Sequence, residues 1–458
     1  MMQEIINSQK EFFITNATRS ISFRISILKD LKRVLQQNEK VLSDAIYLDF
    51  NKSEFETFLT EFGFLYIEID EAIKKIKKWS AKKSVSSSLI NFPSKNYIVP
   101  EPLGVTLVIS AWNYPYQLAL APAIASIAAG NTVVIKPSEV AIHSSKALRK
   151  VISENFNSDH LAVVEGGIEE TSELIHSKFD KIFFTGSTQV GKIVYQAAAE
   201  NLIPVTLELG GKSPAILTED CHLKRSIQRL VWGKFLNAGQ TCVAPDYVLV
   251  HQSLKNEFLK GIKEEIIFRK YAVENQNFTK IVSVKHTQRL ASLLENQEIV
   301  FGGNYHIENR DFEPTLIVNP TWDSAIMQEE IFGPILPVLF YDDFNAALQL
   351  IKTKEKPLAA YLFTENSKYK SQFLSELSFG GGCINEVIMH LVNGNFGFGG
   401  VGASGIGAYH GYEGFKTFSH FKSILEKPTF FEIHLRYSQY SNRKLKWIKK
   451  ILNWSKYF

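Results

Sequence analysis

Along the first 80 residues, apolar side chains recur at helical spacing: Ile27, Leu28, Leu31, Val34 and Leu35, then Phe55, Phe58, Phe62, Leu65, Ile69, Ile73 and Ile76. Positions three and four apart share one face of a helix, so this stretch reads as helices packed along one side. A Ser-rich break over residues 83–100 ends in the extended run Tyr97-Ile98-Val99-Pro100. The pattern then changes to short apolar runs separated by helical stretches. It predicts strands at 105–109, 132–136, 161–164, 181–185 and 205–207, with helices near 117–129, 144–155, 170–176 and 190–200. Alternation at this spacing dictates a parallel, doubly wound sheet, because parallel neighbours need a crossover between them. Ligands on such sheets bind beyond the carboxyl ends of the strands. A second mixed α/β region runs from about 208 to about 395, followed by a glycine-rich loop and a phenylalanine-rich segment near 415–425.

At 458 residues the chain is too long for one compact core, and at least two domains are expected. A composition of 45% hydrophobic and 21% charged residues excludes disorder over most of that length. The net charge of +4 gives no case for nucleic-acid binding, and it is unevenly placed. The last 18 residues, from Ser441, hold Arg443, Lys444, Lys446, Lys449, Lys450 and Lys456 and no acid; without them the chain stands at −2. Three cysteines, at 221, 242 and 383, are too few and too scattered for a disulfide framework or a zinc site. The usual metal-ligand spacings are absent too, so no metal is expected. The start, with Glu4 and Glu11 and no apolar core, does not read as a signal peptide. The most apolar stretch, 118–129, falls short of the roughly 20 residues that span a bilayer. The expected location is a reducing cytoplasm.

Four segments stand out for chemistry: Ala111-Trp112-Asn113-Tyr114-Pro115, Leu207-Glu208-Leu209-Gly210-Gly211-Lys212-Ser213, Asn237-Ala238-Gly239-Gln240-Thr241-Cys242, and Glu329-Glu330-Ile331-Phe332-Gly333-Pro334. Taken singly, each has a plain reading. Cys242 serves as a buried structural thiol, Glu208 as a solvated charge at a strand end, and Asn113 beside Pro115 as a turn-setter. Their placement argues otherwise. Asn113 follows the first parallel strand and Glu208 closes the last, so both belong at the edge where a ligand sits. Gly239 lets the backbone turn tightly and present the Cys242 thiol in an exposed position. A thiol, a carboxylate and an amide donor converging on one cleft suit acyl-transfer chemistry.

In this order and spacing the segments resemble the aldehyde dehydrogenase superfamily, from the helical start to about residue 425. The run Trp232-Gly233-Lys234 through Gly239-Gln240-Thr241-Cys242-Val243-Ala244-Pro245-Asp246-Tyr247 looks most like its class 3 branch of fatty and aromatic aldehyde dehydrogenases. The resemblance implies an α/β fold with three parts. These are a doubly wound parallel-sheet NAD(P)-binding domain (1–83 and 100–207), an α/β catalytic thiol domain (208–395), and a small β oligomerisation element (84–99 and 396–430) that forms a homodimer. A basic tail, 431–458, follows.

The resemblance also assigns roles. Cys242 is the nucleophile, Glu208 the general base, and the Asn113 amide an oxyanion donor, giving oxidation of medium- or long-chain aliphatic or aromatic aldehydes to acids. Enzymes of the superfamily that pass the acyl group to coenzyme A generally lack the base, so Glu208 implies hydrolysis. Gly186, Ser187 and Gly191, in a loop that opens a helix after the fourth strand, meet the cofactor pyrophosphate. Lys136 and Glu139, otherwise a solvated charge pair, meet the adenosine ribose; Glu330 holds the nicotinamide ribose and Phe332 packs beside it. A carboxylate at the 2′-hydroxyl leans towards NAD, with NADP the second candidate. The run Gly397-Phe398-Gly399-Gly400-Val401-Gly402 formally matches a dinucleotide fingerprint, but no βαβ unit surrounds it. The family's usual proline is replaced there by Gly397. A non-catalytic scaffold is the alternative function, and it has no need for Cys242, Glu208 and Asn113 together. His410 reads as an ordinary loop histidine, or one at the substrate entrance. On a helical wheel Leu445, Trp447, Ile448, Ile451, Leu452, Trp454 and Phe458 fall opposite most of the tail's cations. That face is expected to dock over the substrate funnel or to lie on an anionic membrane surface.

Overall fold

In the computed structural model, which describes residues 2–454, the chain opens with helices Met2–Ile14, Ile21–Phe50, Glu54–Thr57 and Gly63–Trp79. Ser20 caps the second by accepting the Phe23 N–H, and Asn51 ends it in the left-handed region at φ 53°. Phe58–Phe62 forms a π-helical turn between the last two. The break and the wide turn rotate the apolar stripe. Phe62, Leu65, Ile69 and Ile76 enter the core, whereas Phe55 is 79% exposed and Phe58 is half-exposed.

Val105–Ile109, Thr132–Lys136, Leu161–Val163, Lys181–Thr185 and Val205–Glu208 form the predicted parallel sheet, with ends within one residue of the prediction. The first strand is central, the second and third lie to one side, and the fourth and fifth to the other. The order therefore reverses between Val105–Ile109 and Lys181–Thr185, which places the ligand crevice at that carboxyl edge. A sixth strand, Gly405–Ile406, runs antiparallel against Leu207 and Glu208. It follows directly on the glycine-rich loop, which runs into this short antiparallel strand with no βαβ unit around it and is no dinucleotide fingerprint. A Cβ on Gly400 would lie 2.0 Å from the Ser404 carbonyl oxygen, so glycine there permits chain-to-chain packing beside Glu208.

The second region folds around seven strands, in the order Ile299–Phe301, Thr315–Val318, Ile335–Tyr341, Tyr247–His251, Pro214–Leu217, Ala359–Phe363, Gly381–Ile384. All pair in parallel except the first. Lys83–Val85, Lys95–Pro102 and Ser419–Glu426 form a separate three-stranded antiparallel sheet. One apolar core joins the inner face of the first sheet to the second. The tail forms helix Asn442–Trp454. Its expected docking over the funnel is not seen in the single chain, where Leu445, Trp447, Ile451 and Leu452 are exposed. Lys456 and Phe458 lie outside the described residues.

Candidate active site

Two cavities meet at one thiol. The larger, about 580 Å³, is the more polar of the two and sits at the carboxyl edge of the first sheet; Asn113, Gly186, Ser187, Glu208, Cys242, Glu330 and Phe332 line it. The second, about 300 Å³, is apolar and is walled by Phe58, Leu59, Phe64, Ile67, Trp232, Met389 and Val392 among others. Cys242, Leu118, Phe398 and Tyr409 border both.

The loop that carries Cys242 is folded against the grain. Asn237 and Ala238 adopt left-handed backbone at φ 53° and 51°, and Gly239 follows at φ 74°. A Cβ on Gly239 would sit 2.3 Å from the Gly333 carbonyl oxygen, so only glycine fits this turn. Asn237 Nδ2 donates to the carbonyls of Asn113 and Gln240, at 3.0 and 3.1 Å, and Asn113 Nδ2 donates to Gln240 at 3.0 Å. These bonds lock the Asn113 segment onto the nucleophile loop and leave one Asn113 N–H for the cavity. Cys242 is not exposed as expected but half-buried between the cavities. Burial pushes its thiol up to about 12, aided by the Glu330 and Glu208 carboxylates, while its own N–H and that of Val243 favour the thiolate.

Glu208 is 3% exposed, and neither carboxylate oxygen has a hydrogen-bond partner among the described residues. Burial alone raises its pKa well above the usual carboxylate range. An unpartnered buried carboxylate lining a cavity is costly to fold, and it is free to take a proton from whatever enters.

Glu330 is held from three sides. Arg289 donates to the carbonyls of Glu330 and Ile331, Asp246 accepts the Ile331 N–H at 3.0 Å, and Lys212 donates to the Glu329 carbonyl at 2.8 Å and to Asp246. A Cβ on Gly210 would lie 1.9 Å from Glu330 Oε2, so that glycine makes room for the carboxylate. Burial and the nearby Asp246 push Glu330 up to about 8. Trp112 packs edge-on against Phe332 at 5.2 Å. Sequence reasoning quoted Lys212 and Asp246 without a role and missed Arg289. No motif marks Arg289, and only the fold brings it to residues 330 and 331.

Gly186, Ser187 and Thr188 line the polar cavity where helix Thr188–Glu200 begins. Backbone N–H groups and the helix dipole favour a phosphate there. Gly191 lies outside the lining; a Cβ would meet Leu209 at 2.5 Å, so it packs helix against strand. Lys136 and Glu139 also lie outside the lining, with buried Lys136 Nζ bonded to the Pro137 carbonyl at 2.8 Å and to Glu139 at 3.4 Å. His410 is buried, pairs with Glu68 at 3.3 Å, and borders the apolar cavity.

A polar cavity with a phosphate-favouring helix start and a clamped carboxylate fits a dinucleotide, and the apolar cavity fits a hydrocarbon. The model of the aldehyde dehydrogenase family matches residues 2–424. The chain is 46% identical over 453 residues to the 4,4′-diaponeurosporen-aldehyde dehydrogenase of Staphylococcus aureus, covering 98% of each. It is 41% identical over 428 residues to the dimeric, NADP-preferring aldehyde dehydrogenase of Rattus norvegicus, covering 93% of this chain and 94% of that one. Among solved structures, the substrate-bound state of Staphylococcus aureus AldH superposes with a TM-score of 0.96 at 46% identity, over 99% of each chain. With the thiol at the junction of the two cavities and the carboxylate and amide lining the larger of them, the chain belongs to the aldehyde dehydrogenase family, as an NAD(P)-dependent enzyme that oxidises aldehydes to carboxylic acids.

Proposed function

We propose that Cys242 carries the acyl group, that Glu208 activates the water that releases it, and that the preferred substrates are medium- or long-chain aliphatic or aromatic aldehydes. The observation behind this reading is the position of Cys242, with a polar cavity on one side and an apolar cavity on the other. The Cys242 thiolate attacks the carbonyl carbon, and the oxyanion that forms is met by the Asn113 amide and the Cys242 backbone N–H. One such donor contributes about 3 kcal/mol. A nicotinamide cofactor, held by Gly186, Ser187, Glu330 and Phe332, supplies the hydride acceptor when bound. Loss of hydride from the tetrahedral carbon leaves a thioester on Cys242. Glu208 takes a proton from water, the hydroxide adds to the thioester, and the acid leaves as the thiolate reforms. The scaffold alternative has no use for an unpartnered buried carboxylate opposite a thiol.

The apolar cavity opens at a rim of half-exposed Phe58, Leu59, Ile67, Met389 and Val392. Each methylene buried there contributes roughly 0.8 kcal/mol, about fourfold in kcat/KM. A panel from propanal to decanal, with benzaldehyde, assayed with NAD and with NADP, is expected to show kcat/KM rising with chain length until the cavity is filled. A flat or falling series contradicts the substrate class.

The reading extends to the surroundings. The antiparallel sheet bears exposed Val85, Phe92, Ile424 and Leu425 around its two edge strands and supports a homodimer formed there. The tail helix exposes Leu445, Trp447 and Ile451 with most of its cations opposite, which supports contact with an anionic membrane surface by a protein of the cytoplasm. Each Lys or Arg near such a surface contributes about 1 kcal/mol. No helix among the described residues is long and apolar enough to cross a membrane. Truncation before Ser441 is expected to raise KM for decanal more than for propanal and to abolish binding to phosphatidylserine vesicles. Equal effects on both aldehydes count against a substrate role for the tail, and full-length protein that ignores the vesicles removes the membrane contact.

A further inference from the structure

Lys52 is 1% exposed, and its ammonium has no hydrogen-bond partner among the described residues. It lies 4.7 Å from the Tyr114 ring centroid and 5.3 Å from that of Phe50. A buried ammonium costs several kcal/mol unless charges or π-faces compensate it. Two carboxylates on the next turns, Glu56 and Glu61, favour the charged ammonium, although burial outweighs them and holds Lys52 below the usual lysine range.

Each carboxylate has a second engagement. Fully buried Glu61 accepts the N–H groups of Tyr116 at 3.1 Å and Gln117 at 2.6 Å, at the end of the segment that carries Asn113. Glu56 accepts the Asn237 N–H at 2.9 Å, at the head of the left-handed turn that presents Cys242. Beneath the ammonium, the Tyr114 hydroxyl meets Thr241 Oγ1 at 2.5 Å, joining the same two segments a third time. Ten residues of the N-terminal helices thus grip both halves of the site. The π-helical turn within them also presents Phe58, Leu59 and Thr60 to the apolar cavity.

We propose that Lys52, Glu56 and Glu61 form a positioning unit that holds the Asn113 segment and the Cys242 loop in register, with Lys52 as the charge that keeps both carboxylates in place. None of the three touches the reacting atoms. The inference rests on Cys242 and Asn113 acting as proposed above. A buried cluster that only stabilises the helices moves the melting temperature and leaves the centre intact; a positioning unit moves the chemistry.

The test uses full-length Lys52→Met, Glu61→Gln and their double variant, with Lys52→Arg as the conservative control. Each single variant is expected to lower kcat by about tenfold or more, the scale of a small misalignment of reacting groups. KM for NAD should stay within about twofold, because the clamp on Glu330 is untouched. The iodoacetamide alkylation rate of Cys242, measured without aldehyde or cofactor, should change in both. The double variant should be no worse than the poorer single one, since both cut the same tie. Lys52→Arg should recover much of the loss. Wild-type kcat and alkylation in Lys52→Met, at whatever melting temperature, overturn the inference, as do single effects that multiply in the double variant. Should Lys52→Met fail to fold, Glu61→Gln keeps a side-chain oxygen that accepts both backbone N–H groups in an isosteric group and decides alone, with unchanged kcat as the overturning result. Normal turnover by a Cys242→Ala variant with Lys52, Glu56 and Glu61 intact defeats the underlying reading instead.

Discussion

Cys242→Ala is expected to lower kcat for aldehyde oxidation by at least about 1,000-fold, because the covalent step then has no substitute. Cys221 and Cys383, the two remaining thiols, line neither of the two cavities that meet at residue 242. The variant should fold normally and bind NADH with unchanged affinity, since a half-buried thiol is replaced by a smaller apolar group and the Glu330 clamp remains. Steady-state oxidation measured alongside NADH fluorescence titration separates lost chemistry from lost binding. Appreciable turnover in the variant contradicts covalent catalysis at Cys242.

The second large effect is at Glu208. Glu208→Gln keeps the shape but cannot accept a proton, so the thioester should form and then persist. The expected record is a pre-steady-state burst of NADH followed by a steady rate lower by about 100- to 10,000-fold. Wild-type pH dependence carries the same signature. Burial holds the Glu208 carboxyl protonated beyond the usual carboxylate range, and only the ionised form is a base. Deacylation therefore rises with pH as Glu208 loses its proton, and the glutamine variant should lose that rise from its slow phase. The burst should still quicken with pH in the variant, because the Cys242 thiol is also pushed up, to about 12. Equal slowing of both phases assigns Glu208 a different role.

How far the chain was legible follows from which forces are local. The five parallel strands could be placed to within one residue because strands covered on both faces are written as uninterrupted apolar runs, such as Thr132–Lys136 and Lys181–Thr185. The two-residue strand Gly405–Ile406 has too little side chain to leave a pattern. The pairing of Lys95–Pro102 with Ser419–Glu426 joins segments more than 300 residues apart, which periodicity cannot record. Phe55 and Phe58 continue the helical spacing in the sequence although both are exposed, because the π-helical turn at Phe58–Phe62 leaves no mark in the sequence. In the site, Cys242, Glu208, Asn113, Gly186, Ser187, Glu330 and Phe332 could be gathered from motifs, and the cavity lining contains all seven. The supports, Arg289, Glu56, Glu61 and Lys52, are ordinary charges that no motif marks. Only tertiary contact gives them a role.

The central claim is a covalent acyl intermediate on one named sulfur, and Glu208→Gln offers a way to catch it. The variant is mixed with excess decanal and NAD, quenched in acid within the burst, digested, and read by mass spectrometry. The peptide containing Cys242 should carry the mass of the aldehyde less two hydrogen atoms, in an amount matching the NADH burst, and hydroxylamine should release it. A stoichiometric NADH burst with no adduct, or an adduct on Cys221 or Cys383, contradicts the account.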